Sequence, residues 1–188
     1  MRPSAGFLLR FLLLAGGLFA AWTFGGVGDA YGRAVIGVAN PFMTVITGFH
    51  VSAVEPAPAG LDVVIRRGST ETTIPFQPRE IFSGLLPFLA LVGATARIQL
   101  RERAKAIGLG MAVLFVFHIG LMVLGPYMTG IPQSRLGLVW MRRVNVAINV
   151  LYGFYGLVGY AALPFFLWFW LAYRPSAEKA GRSSVPTV

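Results

Sequence analysis

Side chains that could do chemistry are few in this chain of 188 residues, and they gather in three places. One is the stretch "REIFSGLLPFLALV", residues 79–92, where Arg79 and Glu80 stand directly before a Phe82-Ser83-Gly84 step. The second is His118, in the apolar run "VLFVFHIGLMV". The third is Arg142-Arg143, leading into Asn145 and Asn149. There is no cysteine, which removes disulfides, thiolate metal sites and any thiol nucleophile. His50 and His118 have no neighbouring ligand at metal spacing, and no phosphate loop or dinucleotide fingerprint occurs. The sequence therefore assigns no catalytic residue, no metal and no cofactor.

Each place has a functional and a structural reading. Arg79 and Glu80 read as a mutually neutralised pair capping a helix, with Glu80 favourable near its N-terminus. Catalysis there needs a nucleophile, and Ser83 is the sole candidate, although a serine at a helix start is more often structural. An ionisable His118 in the middle of a membrane span is by default a functional hypothesis. Its structural reading is a neutral imidazole bonded to a neighbouring helix's backbone or to Asn149. Asn145 and Asn149 lie one helical turn apart, so with Arg142 and Arg143 they form a polar seam able to hold a carboxylate or a lipid phosphate; the plainer reading is an arginine pair snorkelling at the interface. Arg79, Glu80, Ser83, His118, Arg142, Arg143, Asn145 and Asn149 are together the expected lining of one outer polar cleft.

The elements that must position these residues are apolar. Hydrophobic residues make up 56% of the chain and charged residues 12%, a balance far from that of a soluble domain. Several runs approach the ~20 residues that a helix needs to cross ~30 Å of hydrocarbon. Spans are expected at about 7–25, 81–96, 106–125 and 147–173. The net charge of +9 reads as topology rather than as nucleic-acid binding, because Lys and Arg collect in cytoplasmic loops. "RIQLRERAK", residues 97–105, is the strongest such loop, with Arg97, Arg101, Arg103 and Lys105 against Glu102. Basic residues after the last span make 175–188 a flexible cytoplasmic tail. Both termini are then inside, in a bacterial-type inner membrane. Arg10 favours a retained first span over a cleaved signal peptide.

Two further segments have their own periods. Residues 30–50 are apolar but interrupted by Gly32, Gly37 and Asn40-Pro41, which predicts an interfacial or re-entrant helix. In residues 61–76 the alternation of Leu61, Val63 and Ile65, then of Thr70, Thr72, Ile74 and Phe76, around Gly68-Ser69 predicts a β-hairpin. An open ribbon cannot face lipid, so the hairpin belongs in water or against protein. The expected fold is an all-α integral membrane protein: a four-helix transmembrane bundle with an interfacial or re-entrant helix and a small extracytoplasmic β-hairpin.

This order of parts, with a Ser-Gly step opening a helix after the hairpin, resembles the catalytic half of the exosortase/archaeosortase family over roughly residues 7–172. The resemblance implies a Cys at a Cys-Ser-Gly step, an Arg on the following helix and a His on a later one. Phe82 stands at the Cys position here, the Arg falls near His118, and the His near Asn145 or Asn149. A thiolate-dependent acyl transfer cannot run without its thiolate. The resemblance thus implies a degenerate, non-enzymatic relative, accessory or scaffold to an exosortase-like protein-sorting system. Membrane lipids and other membrane proteins are the expected partners, and nucleic acid is not. The alternative is a structural subunit of a larger membrane complex, for example an energy-converting or photosynthetic assembly. A membrane-embedded peptidase or transpeptidase using Ser83 is the third reading.

Overall fold

The computed structural model describes residues 5–58, 60–96, 98–128 and 162–173, with positions 150 and 153. In chain order the elements are α1 (Ala5–Phe24), α2 (Val27–Thr47), β1 (His50–Ala57), β2 (Gly60–Arg67), β3 (Thr70–Phe76), α3 (Pro78–Ile81), α4 (Leu85–Ala94), α5 (Leu100–Met128) and α6 (Leu163–Trp168), which runs on as a wider π turn to Tyr173.

This is a mixed α/β arrangement rather than an all-α four-helix bundle. Two helices among the described residues are long and apolar enough to cross a membrane: α1, and α5 over Leu100–Val123. The expected span at 81–96 forms a helix of ten residues, about 15 Å long and half of the hydrocarbon thickness. Its apolar character has another cause. Leu85, Leu86, Phe88, Ala90, Leu91, Val92 and Ala94 are all buried, so α4 is apolar because protein surrounds it. Hydropathy is the same for a core helix and a lipid-facing one. Pro87 sits in the first turn of α4, where an N–H would have no intrahelical partner, so it interrupts nothing. Of the expected span at 147–173, a continuous described helix exists only over Leu163–Tyr173; the tail at 175–188 lies outside the described residues.

The lipid-compatible surface is concentrated on α1. Leu8, Leu9, Leu12, Leu13 and Phe19 are each at least half exposed, a density of outward leucine that suits lipid and not water. The opposite side of α1 packs on α4, where Leu14 Cδ1 comes so close to Gly93 that a Cβ there would lie 2.8 Å from it. The missing side chain at Gly93 leaves room for Leu14 at that crossing, and a larger residue would fit only if the Leu14 side chain moved.

The expected break at Asn40-Pro41 is absent. α2 runs unbroken through it and ends at Gly48, whose left-handed φ of 71° lets its N–H return to the Thr44 carbonyl. Pro41 forfeits one helical hydrogen bond, and the Asn40 side chain is committed elsewhere: it accepts from the Val51 N–H at 2.7 Å and donates to the Val51 carbonyl at 3.3 Å. The β-hairpin at 61–76 is present, closed by Arg67 opposite Thr70 around Gly68 at φ 59°. It supplies two strands of a three-stranded antiparallel sheet in the order β1-β2-β3. β1 was illegible because its pairing shifts between Val51 and Ala53, which breaks the alternation that betrays a strand. Leu61, Val63 and Ile65 form the buried face, against Ile36, Ala39 and Met43 of α2 and Val123 of α5.

The other end of α5 is closed by polar contacts. The Thr95 hydroxyl accepts from the Trp168 indole N–H at 2.9 Å, and the Thr95 carbonyl accepts from Arg103 Nη2 at 2.9 Å. Phe7, at the start of α1, meets Trp168. From Arg103 to Val123 the helix rises about 30 Å, so the sheet and the basic 97–105 segment stand at opposite ends of the candidate span.

Candidate functional site

The threshold 78–84 is one short helix followed by a tightened turn. Pro78 begins α3, its fixed φ suited to a first helical position. The Phe82 N–H donates to the Pro78 carbonyl at 3.0 Å. The chain then narrows: Leu85 N–H donates to Phe82 O, and Leu86 N–H to Ser83 O. These shorter loops join α3 to α4 through the Phe82-Ser83-Gly84 step, and Gly84 keeps an ordinary helical φ of −56°. The step is a turn tightened between two helices.

Two glycines on one face of α2 let α3 seat against it. A Cβ on Gly32 would lie 2.4 Å from Pro78 Cβ, and one on Gly28 would lie 3.1 Å from Arg79 Cγ. That approach puts Asp29, in the first turn of α2, beside Arg79. The guanidinium donates to both Asp29 oxygens, from Nε at 3.1 Å and from Nη2. The planar fork matches the carboxylate, and Asp29 favours the charged form of Arg79, holding it protonated even above its ordinary range. The Trp22 indole N–H completes the region by donating to the Arg79 carbonyl at 2.9 Å.

One layer further in lies an aromatic knot. Tyr31 Oη and His118 Nδ1 are 2.9 Å apart in a hydrogen bond. Phe82 is fully buried and its ring lies 4.4 Å from the His118 ring, with Tyr31 edge-on at 5.4 Å and Phe76 at 5.6 Å. Trp22 packs on Tyr31, so the ion pair and the imidazole belong to one connected cluster. In chemical terms its described hydrogen bonds are made within the cluster. The cation has its anion, the indole has its acceptor, one imidazole nitrogen has its phenol, and the apolar ring of Phe82 fills the position beside the imidazole.

Of the expected cleft, Arg79 and His118 are brought into this cluster, linked through Trp22, Tyr31 and Phe82. Ser83 follows Phe82 and is half-buried. Arg79 pairs with Asp29 of α2. The side chain of Glu80, and Arg142, Arg143, Asn145 and Asn149, lie outside the described residues. Among the described residues no group of three or more His, Asp or Glu could hold a metal ion. No family model, curated protein or solved structure matches the chain. The exosortase resemblance therefore rests on layout and on the Ser-Gly step alone.

Sequence reasoning missed Trp22, Asp29 and Tyr31. A signal for Asp29 was present in the i, i+4 spacing of Gly28 and Gly32, which marks a helix face that another backbone approaches. Tyr31 and Trp22 carried none, because aromatic residues are frequent throughout the chain.

Proposed function

We propose that this chain is a non-enzymatic, multi-pass protein of a bacterial-type inner membrane that acts as an accessory or scaffold to an exosortase-like protein-sorting system. The observation that carries the reading is the place of Phe82. The residue at the nucleophile position of the resembled enzymes is a buried phenyl ring against His118, whose Nδ1 is already engaged by Tyr31. Nucleophilic catalysis needs a reactive atom within hydrogen-bond reach of its base, and Phe82 supplies none. The preserved helix threshold then serves to hold α2, α3 and α5 together beneath the sheet.

Orientation follows from charge. Arg101, Arg103 and Lys105 gather at the end of α5 where α1 begins and α6 packs, and basic residues favour the cytoplasmic side. The sheet then projects from the outer face, with both termini inside.

The test has two arms. Purified protein incubated with a C-terminal sorting-signal peptide should leave it intact; cleavage or transfer that Ser83→Ala abolishes would end the non-enzymatic reading. Affinity isolation from the native membrane in mild detergent should retain an exosortase-like protein, and recovery with no heterologous membrane protein would end the accessory reading.

A further inference from the structure

The two edges of the sheet are finished differently. Hydrogen-bonded and non-hydrogen-bonded pairs alternate along an antiparallel ladder. The hairpin pair Arg67 and Thr70 fixes the phase of the ladder, so Thr72 and Ile74 bond to β2, while Glu71, Thr73 and Pro75 turn their backbone groups away from it. Independent contacts agree with this phase. The Val64 carbonyl, opposite Thr73, points toward β1 and accepts from Ser52 Oγ. On β1 the outward groups are those of Val51, Val54 and Pro56, and α2 takes three of them: Asn40 bonds both groups of Val51, and Arg33 Nη1 donates to the Val54 carbonyl at 3.3 Å. α2 thus covers the β1 edge over Val51–Val54. On β3, Thr70 through Thr73 and Pro75 are exposed, and among the described residues nothing caps the outward groups of Glu71, Thr73 and Pro75.

We infer that β3 is an interface for a second copy of this chain, paired antiparallel about a two-fold axis at Thr73. Two residues and the length of the strand restrict that pairing. Pro75 has no N–H, so the edge offers two outward donors, on Glu71 and Thr73, and three carbonyls. With the axis at Thr73, each Thr73 N–H donates to the second copy's Thr73 carbonyl, and each Glu71 N–H donates to the second copy's Pro75 carbonyl. Both donors of each copy are used, and the missing N–H of Pro75 leaves only the Glu71 carbonyl to water. Shifting the axis to Glu71 sets two carboxylates directly opposite each other, which destabilises a strand pair. Shifting it to Pro75 opposes two residues that cannot donate. Proline and charge ordinarily blunt a sheet edge; an axis at Thr72 or Ile74 would also use both donors but would run the ladder past one end of the strand, whereas the axis at Thr73, the middle residue of Thr70–Phe76, pairs the strand over its whole length. The Glu71 carboxylate is neutralised within its own chain by Arg66, so closing the pair brings no unpaired charge together. On the core-facing side, half-exposed Ile74 comes opposite the second copy's Thr72, extending the apolar face.

Because the chain has no cysteine, single cysteines report this contact without background. In membranes under mild oxidation, Thr73→Cys should convert most of the protein to a species of twice the chain's mass. Paired residues at the axis have Cα atoms about 5.5 Å apart, within disulfide reach. Thr70→Cys and Ser52→Cys, equally exposed but separated from their counterparts by about 20 Å or more, should cross-link at least roughly tenfold more slowly. Co-expressed Glu71→Cys and Pro75→Cys chains should form the mixed disulfide. Thr73→Pro, which removes an outward donor but no β2–β3 bond, should give monomer mass in mild detergent with the sheet retained. Thr73→Cys that stays monomeric, cross-links no faster than Ser52→Cys, or joins a protein of another mass would overturn the inference.

Discussion

The helix threshold at 78–84 and the outer strand β3 follow one another in the chain, yet they treat polar groups in opposite ways. At the threshold the charged and polar groups described are matched internally: Arg79 to Asp29, Trp22 to the Arg79 carbonyl, Tyr31 to His118. On β3 the Glu71 and Thr73 amides face outward with nothing closing them among the described residues. A site that binds a partner needs unspent hydrogen-bonding capacity. The region richest in chemically capable side chains therefore reads as a structural joint, and the capacity to associate lies on a strand of threonines.

That contrast is broken most severely by emptying the joint. Phe82→Ala removes a fully buried ring from between Tyr31, Phe76 and His118, and the loss of contacts and the cavity left behind should cost about 3–5 kcal/mol. Unfolding followed by intrinsic tryptophan fluorescence would read it. A cost below ~1 kcal/mol would mean that the threshold does not hold the fold together. Gly32→Ala comes next. Its Cβ would fall 2.4 Å from Pro78 Cβ, and a proline ring on a helix start cannot swing aside. Overpacking of this kind costs about 1–3 kcal/mol, and the separation of α3 from α2 should also loosen the Asp29–Arg79 pair. In a double-mutant cycle with Asp29→Ala, the coupling of these two changes would then be non-zero.

Tyr31→Phe sharpens the comparison. It keeps the ring and removes the partner of a buried imidazole nitrogen, so its expected cost of about 1–3 kcal/mol is that of an orphaned polar group. A joint should lose stability without gaining reactivity. If His118 in the Tyr31→Phe protein became labelled by a histidine-reactive reagent while the fold held, the pocket would be accessible and the self-satisfied reading of the cluster would fail.

What was readable in the chain divides along the same physical lines. The β2–β3 hairpin was legible because its alternation and its Gly-first turn are local signals, and α1 and α5 because each is a long uninterrupted apolar run. α4 was misread as a span because a helix buried by protein and one buried by lipid have the same composition; only its ten-residue length separates them. α2 was read as broken because Asn40-Pro41 is a local stop signal, overridden here by tertiary use: the Asn40 side chain closes the β1 edge, and one missing helical bond is a small cost beside that. At the site, Arg79 and His118 were legible as ionisable groups next to or within apolar runs. Their partners were not, because Asp29 and Tyr31 reach them from a helix more than 45 residues away in sequence, a distance across which no spacing rule operates.

The smallest predicted effect separates the two regions most cleanly. Glu71 is half-exposed and bonded to Arg66 across the hairpin, and such surface pairs contribute less than about 1 kcal/mol. Glu71→Gln should thus leave the unfolding midpoint nearly unchanged, in contrast to every substitution at the threshold. It should also leave disulfide formation by Thr73→Cys intact, since the strand pairing uses the backbone of residue 71 and sets its side chain opposite Pro75, not opposite a charge. If the neutral variant lost cross-linking while keeping its stability, the association would run through the carboxylate and its neighbouring arginine. A basic or acidic surface on another protein would then be the better occupant of β3. If cross-linking survived both Glu71→Gln and high salt while Thr73→Pro lost the dimer mass in mild detergent, the ladder itself would be the contact.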